Sequence, residues 1–295
     1  MRFIFHIIFL LLSCTGFAQV KHAGNYFDQF VTDAVFKSAH LGVSVYDPIN
    51  KKFLHSYQSD KYFVPASNTK IITCYAALKY LPGSLSLEMH DTYVSGMGAG
   101  WAWNDYNELE DPYPEIPFMD SGEVWSGPLD SLLRPMMYRS DNYVAQQLLQ
   151  MASRQKLGKI NEEIIIDTIR NELFNGVGIQ PTWVDGCGLS RYNLFTPLNF
   201  IHALDKMQKE FGMQRMKIIF PSANNGTLKN YYLNDTGGIY AKTGSLTGVI
   251  ALSGYIYTVK NKLLIFSVLV NNHNQPSSLI RRRIEKFIHA LRVNN

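Results

Sequence analysis

Ser67 and Lys70, three residues apart in Pro65-Ala66-Ser67-Asn68-Thr69-Lys70, open a long apolar stretch. On a helix that spacing puts both side chains on one face. A serine hydroxyl becomes an effective nucleophile when a neighbouring base takes its proton. A lysine can be that base if burial and nearby cations lower its pKa, because both disfavour the ammonium form. A nucleophile in the first helical turn also directs its own backbone N–H and the helix dipole at developing negative charge. A second group, Ser140-Asp141-Asn142, offers a hydroxyl able to relay a proton to a leaving amine and an amide able to hold Lys70 or a substrate amide. A third, Lys242-Thr243-Gly244-Ser245, combines a cation with hydroxyls suited to a carboxylate. Gly244 lets a ligand approach a strand edge, and the N–H of Ser245 forms a candidate oxyanion hole with that of Ser67. Taken singly, each group has an ordinary alternative: a capping serine with a solvated lysine, a helix N-cap or a strand-end turn. Taken together, in the settings this chemistry requires, they favour a serine acyl-transfer site.

The elements that must position these groups follow from periodicity. Residues 25–36 read as an amphipathic helix. Strand patterns over 41–46 and 52–57 flank the turn Asp47-Pro48-Ile49-Asn50 and predict a hairpin. Residues 70–81 are apolar nearly all round, as in a buried helix, and Pro82-Gly83 stops it. The stretch 95–128, rich in Gly, Pro, Trp and acidic residues, reads as irregular. Helical patterns follow over 129–137, 143–151, 161–173 and 196–211, with a break at 139–142. Strand patterns over 239–242, 248–258 and 263–271 precede a last helix over 276–293. Short strand connections favour an antiparallel sheet. The expected class is therefore α+β. One sheet is built from about 25–65 and 236–295 and flanked by helices, with a helical lobe from about 66–235.

The 295 residues are 46% apolar and 18% charged, with a net charge of +4, which fits a folded chain holding one large domain. No Lys/Arg stripe interleaved with aromatics is present, so nucleic acid is not an expected partner. Arg2 and the apolar run that follows it, with small residues near Gly16 and Ala18, predict a signal peptide over 1–18 and a mature chain over 19–295. Export to the periplasm or its equivalent follows from that. Leu11-Leu12-Ser13-Cys14 loosely resembles a lipoprotein signal, so a membrane tether is expected only if Cys14 is lipidated. Cys74 and Cys187 leave two readings open, a disulfide or two buried thiols. The histidines, among them His90, His202 and His273, have no metal-ligand spacing, so neither metal nor cofactor is expected. Glu162 and Glu163, and likewise Arg281-Arg282-Arg283, read as solvated helix faces. Trp101 and Trp103 suit a peptide groove or a core equally.

The three groups, in this order, resemble those of penicillin-binding proteins and class A β-lactamases. The implied fold is β-lactamase/transpeptidase-like. More narrowly the chain resembles DacB-type D-alanyl-D-alanine carboxypeptidase/endopeptidases, the class C low-molecular-mass penicillin-binding proteins. The stretches that carry this are Val184-Asp185-Gly186-Cys187-Gly188-Leu189-Ser190-Arg191-Tyr192-Asn193, Asn225-Gly226-Thr227-Leu228, the strand around Lys242, and Gly100-Trp101-Ala102-Trp103-Asn104-Asp105. The family usually has serine where this chain has Cys187. It also usually inserts two domains where only 69 residues separate Lys70 from Ser140, so this chain is a compact form. The resemblance implies cleavage of D-Ala-D-Ala in peptidoglycan stem peptides through an acyl-enzyme at Ser67, and covalent inhibition by β-lactams. Lys70 would be the base, Ser140 the proton relay and Asn142 its neighbour. Lys242, Thr243, Gly244, Ser245 and Asp185 would bind substrate. A β-lactamase and a non-catalytic binding module are the competing expectations.

Overall fold

The computed structural model describes residues 26–88 and 124–295. The expected signal peptide, Cys14, His90 and the Trp101/Trp103 segment lie outside them. A five-stranded antiparallel sheet forms the frame, in the order β2-β1-β7-β6-β5. Its strands are β1 (His40–Asp47), β2 (Lys52–Tyr57), β5 (Ile239–Leu246), β6 (Val249–Tyr257) and β7 (Leu263–Asn271). The first hairpin thus pairs with the last strand of the chain, as Val43↔Val268 and Ser44↔Ser267.

Alternation along the strands divides the core in two. Leu264, Phe266, Val268 and Val270 face one cluster with Val43, Val45, Phe30 and Ile284, beneath α1 (Tyr26–Val31) and α8 (Ser277–Asn294). Ile265 and Leu269 face the other, with Ile71, Phe195 and Leu204. That second cluster extends into the helical lobe: α2 (Lys70–Tyr80), α3 (Asp130–Tyr138), α4 (Asn142–Leu157), α5 (Glu162–Leu173), α6 (Pro197–Phe211) and α7 (Met213–Ile219). Helix starts follow the local chemistry. Asp141, Asn161 and Thr196 each accept a backbone N–H as N-cap of α4, α5 and α6.

Several boundaries differ from expectation. The helix expected over 25–36 is split, because the Asp33 carboxylate accepts the Val35 N–H and starts a separate 3-10 turn, Ala34–Phe36. Residues 124–128, expected to be irregular, form strand β4 (Val124–Pro128), which pairs with β3 (Ser84–Glu88). That pairing joins segments some forty residues apart, which no local pattern displays. Strand β5 continues beyond residue 242 because Leu246 still pairs with Val249. Cys74 and Cys187 are both buried and both free, which settles the two readings in favour of thiols. No helix among the described residues is long and apolar enough to cross a membrane.

Candidate active site

Three walls meet at an open cleft of about 340 Å³ lined by Ser67, Ser140, Thr227, Thr243, Ser245 and Arg281. Ser67 stands on a 3-10 turn, Ala66–Thr69, that runs directly into α2. This turn is pressed onto the sheet. A row of small side chains, Ser44, Ser267 and Ser253, crosses three neighbouring strands in register. Oriented so that both ends of its amide are satisfied, buried Asn68 donates to the Lys242 carbonyl (2.7 Å) and accepts from the Ser253 hydroxyl (2.7 Å). Gly244 completes the fit: a Cβ there would lie 2.6 Å from the Pro65 carbonyl oxygen. The close neighbour is the turn that carries the nucleophile.

Lys70 is fully buried at the start of α2. Its Nζ lies 3.0 Å from Ser67 Oγ, 2.7 Å from Asn142 Oδ1 and 2.7 Å from the Cys187 carbonyl oxygen. The amide oxygen and the carbonyl can only accept. The hydroxyl of Ser67 is thus the one partner able to give Lys70 a proton. Burial pushes the Lys70 pKa down to about 8, against the opposing pull of Cys187, Asp141 and Asp185. A neutral amine keeps its N–H bonds to Asn142 and Cys187 and turns its lone pair to Ser67.

Ser140 precedes the N-cap of α4 and adopts a left-handed backbone, φ 62°. Such a conformation costs a non-glycine residue about 1–3 kcal/mol and is typically held by its surroundings at functional sites. Its Oγ accepts from Lys242 Nζ at 2.8 Å. Lys242, fully buried on β5, also donates to the Thr243 carbonyl at 2.9 Å. Burial, with Lys70 and Arg281 adding like charge, pushes Lys242 well below the usual lysine range. By holding the Ser140 oxygen, Lys242 leaves the Ser140 hydroxyl proton free to be given elsewhere.

Asp185, expected to bind substrate, is engaged by the protein's own backbone and is not among the residues that line the cleft. Its carboxylate accepts the N–H groups of Cys187 (3.0 Å), Gly188 and Ser190 (2.7 Å) and so ties the rim loop together. Asn193 closes the same loop from within, accepting the Val184 N–H at 2.8 Å. Gly188, at φ 86°, sits where a Cβ would overlap the Ala66 carbonyl. Asp185 is thus a positioning residue: it fixes the loop whose Cys187 carbonyl holds Lys70. Burial and the adjacent Asp185 push the Cys187 thiol up to about 11, so it is a poor nucleophile.

Among the described residues no cluster of His, Cys, Asp or Glu could hold a metal ion. Glu162 is engaged by Gln146 (2.6 Å) and Gln150 (2.7 Å) on α4 rather than solvated, and it does not line the cleft. Arg281, expected on a solvated face, lines the cleft and donates to Ser245 Oγ at 2.6 Å. The signal was available. Ile280 and Ile284 form the buried stripe of α8, and position 281 borders that stripe at helical spacing.

A profile of the D-Ala-D-Ala carboxypeptidase 3 (S13) family matches residues 25–109 and 121–291, a span that takes in all three walls. The chain belongs to that family. Within it, the chain is 32% identical over 163 residues to a carboxypeptidase DacB of Mycolicibacterium smegmatis, covering 51% of this chain and 35% of that protein. It is 36% identical over 187 residues to a penicillin-sensitive carboxypeptidase A of Dictyostelium discoideum, covering 57% and 35%. The matched part is about a third of the length of these curated relatives. Penicillin binding protein 4 (dacB) of Haemophilus influenzae superposes with TM-score 0.66 at 15% identity, over 87% of this S13 chain and 97% of that one. A class A β-lactamase from Bacteroides cellulosilyticus superposes with TM-score 0.64 at 16% identity, over 91% and 97%. The S13 chain therefore has the β-lactamase/transpeptidase-like fold.

Proposed function

We propose that this protein is a serine D-Ala-D-Ala carboxypeptidase/endopeptidase that acts on peptidoglycan stem peptides through an acyl-enzyme. The observation that carries the reading is the buried Lys70 amine 3.0 Å from Ser67 Oγ, with its two other partners obligate acceptors. Lys70 takes the hydroxyl proton as Ser67 Oγ bonds to the carbonyl carbon between the two D-alanines. The resulting oxyanion sits against the N–H groups of Ser67 and Ser245. The C–N bond then breaks as the proton returns through Ser140 to the departing nitrogen, and D-alanine leaves. Water hydrolyses the Ser67 ester, releasing the shortened peptide and restoring the hydroxyl.

A β-lactam would acylate the same oxygen, and its ring-opened product would stay attached for long. Among the described residues no carboxylate lines the cleft to activate a deacylating water, and Glu162 is committed to two glutamines on α4. That favours an inhibited peptidase over a β-lactamase. The intact Ser67–Lys70 pair disfavours a non-catalytic binding module. Substrate of this kind lies outside the cytoplasm, in keeping with export by the signal expected over residues 1–18.

The test is intact mass after addition of benzylpenicillin, beside a Ser67→Ala control. The expected result is a one-to-one adduct that decays over hours and is missing from the control, together with D-alanine release from a D-Ala-D-Ala peptide. No adduct on the wild type would refute the nucleophile assignment. Rapid loss of penicillin with only a fleeting adduct would make the protein a β-lactamase.

A further inference from the structure

Three basic side chains converge on the cleft, but they are presented to it very differently. Lys70 and Lys242 are fully buried and held by oxygen acceptors within the protein. Lys242 in particular is occupied by the Ser140 hydroxyl and the Thr243 carbonyl, at 2.8 and 2.9 Å. Two of its three possible donors are thereby used, and Lys242, fully buried, is not among the residues that line the open cleft.

Arg281 is half-buried and lines the open cleft. One of its N–H groups is bonded to Ser245 Oγ, at 2.6 Å. A guanidinium carries five donors, so the others remain for a ligand. Its neighbours on α8 are neutralised: Arg282 pairs with Glu285 at 2.6 Å and Arg283 with Asp33 at 3.1 Å. Arg281 has no carboxylate in ion-pair range among the described residues. Thr227 stands on the same wall, and its hydroxyl is shielded from solvent with no hydrogen-bond partner among the described residues. A planar fork beside an unengaged hydroxyl is an arrangement that can grip a carboxylate in two places.

We infer that Arg281, flanked by Ser245 and Thr227, reads the carboxylate next to the scissile nitrogen, and that Lys242 serves the Ser140 proton relay instead. This rests on the peptidase reading above and deepens it, by assigning recognition of the leaving group's charge to a residue outside the three motifs. The ligand class is any leaving group with a carboxylate on the carbon bonded to the departing nitrogen. A terminal D-alanine and a cross-link ending in a D-centre both satisfy that.

The experiment measures equilibrium binding of an acyl-D-Ala-D-Ala peptide and of its C-terminal amide to the Ser67→Ala protein. Each is measured with Arg281 intact, with Arg281→Ala and with Arg281→Lys, and thermal unfolding checks that every variant is folded. With Arg281 intact the acid should bind about 10- to 100-fold more tightly than the amide, the range for a charge-assisted hydrogen-bonded pair. Arg281→Ala should collapse that ratio towards one, and Arg281→Lys should restore part of it. A ratio that survives Arg281→Ala, or equal losses for acid and amide, would overturn the inference. If the active enzyme fails to cleave the peptide while the ratio still depends on Arg281, the peptidase reading falls and the carboxylate site stands. If the Ser67→Ala protein binds neither peptide, both fall.

Discussion

The helical wall of the cleft and the sheet wall each bury one lysine beside one serine, yet in the proposed reaction the two pairs suit opposite halves. On the helical side, Lys70 faces Ser67 and two oxygens that can only accept, so it is set to receive a proton. On the sheet side, Lys242 donates to Ser140 and to the Thr243 carbonyl, which orients Ser140 to give its proton away. In the proposed mechanism the same residue pair serves as base or as relay according to what else surrounds the nitrogen. Sequence spacing does not carry that distinction, since Ser67 and Lys70 share one turn whereas Ser140 and Lys242 are 102 residues apart.

The comparison is most severely tested by removing each lysine. Lys70→Ala should slow acylation by benzylpenicillin by about a thousandfold or more, within the upper range for loss of a positioned base. Lys70→Arg should not rescue it, because a guanidinium stays charged. Stopped-flow or quenched mass measurements of adduct formation decide the point, and near-normal acylation by Lys70→Arg would break the assignment of Lys70 as base. Ser140→Ala should cost about a hundredfold on an amide peptide. It should cost far less on a thioester analogue, whose leaving thiolate needs no proton. Lys70→Ala should damage both substrates alike. A Ser140→Ala defect of equal size on amide and thioester would erase the proposed division of labour.

A smaller effect appears in the pH profile. In the proposed mechanism Lys70 acts as the neutral amine, and burial brings its pKa down to about 8. The acylation rate should therefore rise with pH, level off above about 8, and fall about tenfold for each unit below it. A rate that declines as pH rises through 8 would mean that the ammonium form is the active one. The smallest effects concern the rim loop. Asp185→Ala should destabilise the protein by about 2–3 kcal/mol, because three backbone N–H groups lose a charged acceptor. Cys187→Ser should change stability by less than about 1 kcal/mol, since Lys70 uses the backbone carbonyl and a hydroxyl can keep the contact with Asp185. Denaturant midpoints measure both, and a large Cys187→Ser loss would give the thiol a packing role not seen in its contacts.

The sequence by itself determined the local features of this protein. The spacing of Ser67 and Lys70, the alternation that predicts β1, β6 and β7, and the caps at Asp141, Asn161 and Thr196 are settled within a few residues by backbone geometry. Motif order, through its resemblance to penicillin-binding proteins, and the element on which each group sits together pointed to a serine acyl-transfer site. Tertiary structure decided the rest. It pairs β3 with β4, turns Asp185 inward to the rim loop, keeps Cys74 and Cys187 apart as thiols, and brings Arg281 to Ser245. It also sets what each lysine can do. Proton affinity depends on burial and on charges and dipoles contributed by distant segments. Asn142 and the Cys187 carbonyl reach Lys70 only when the lobe has packed against α2 and the rim loop has closed over it.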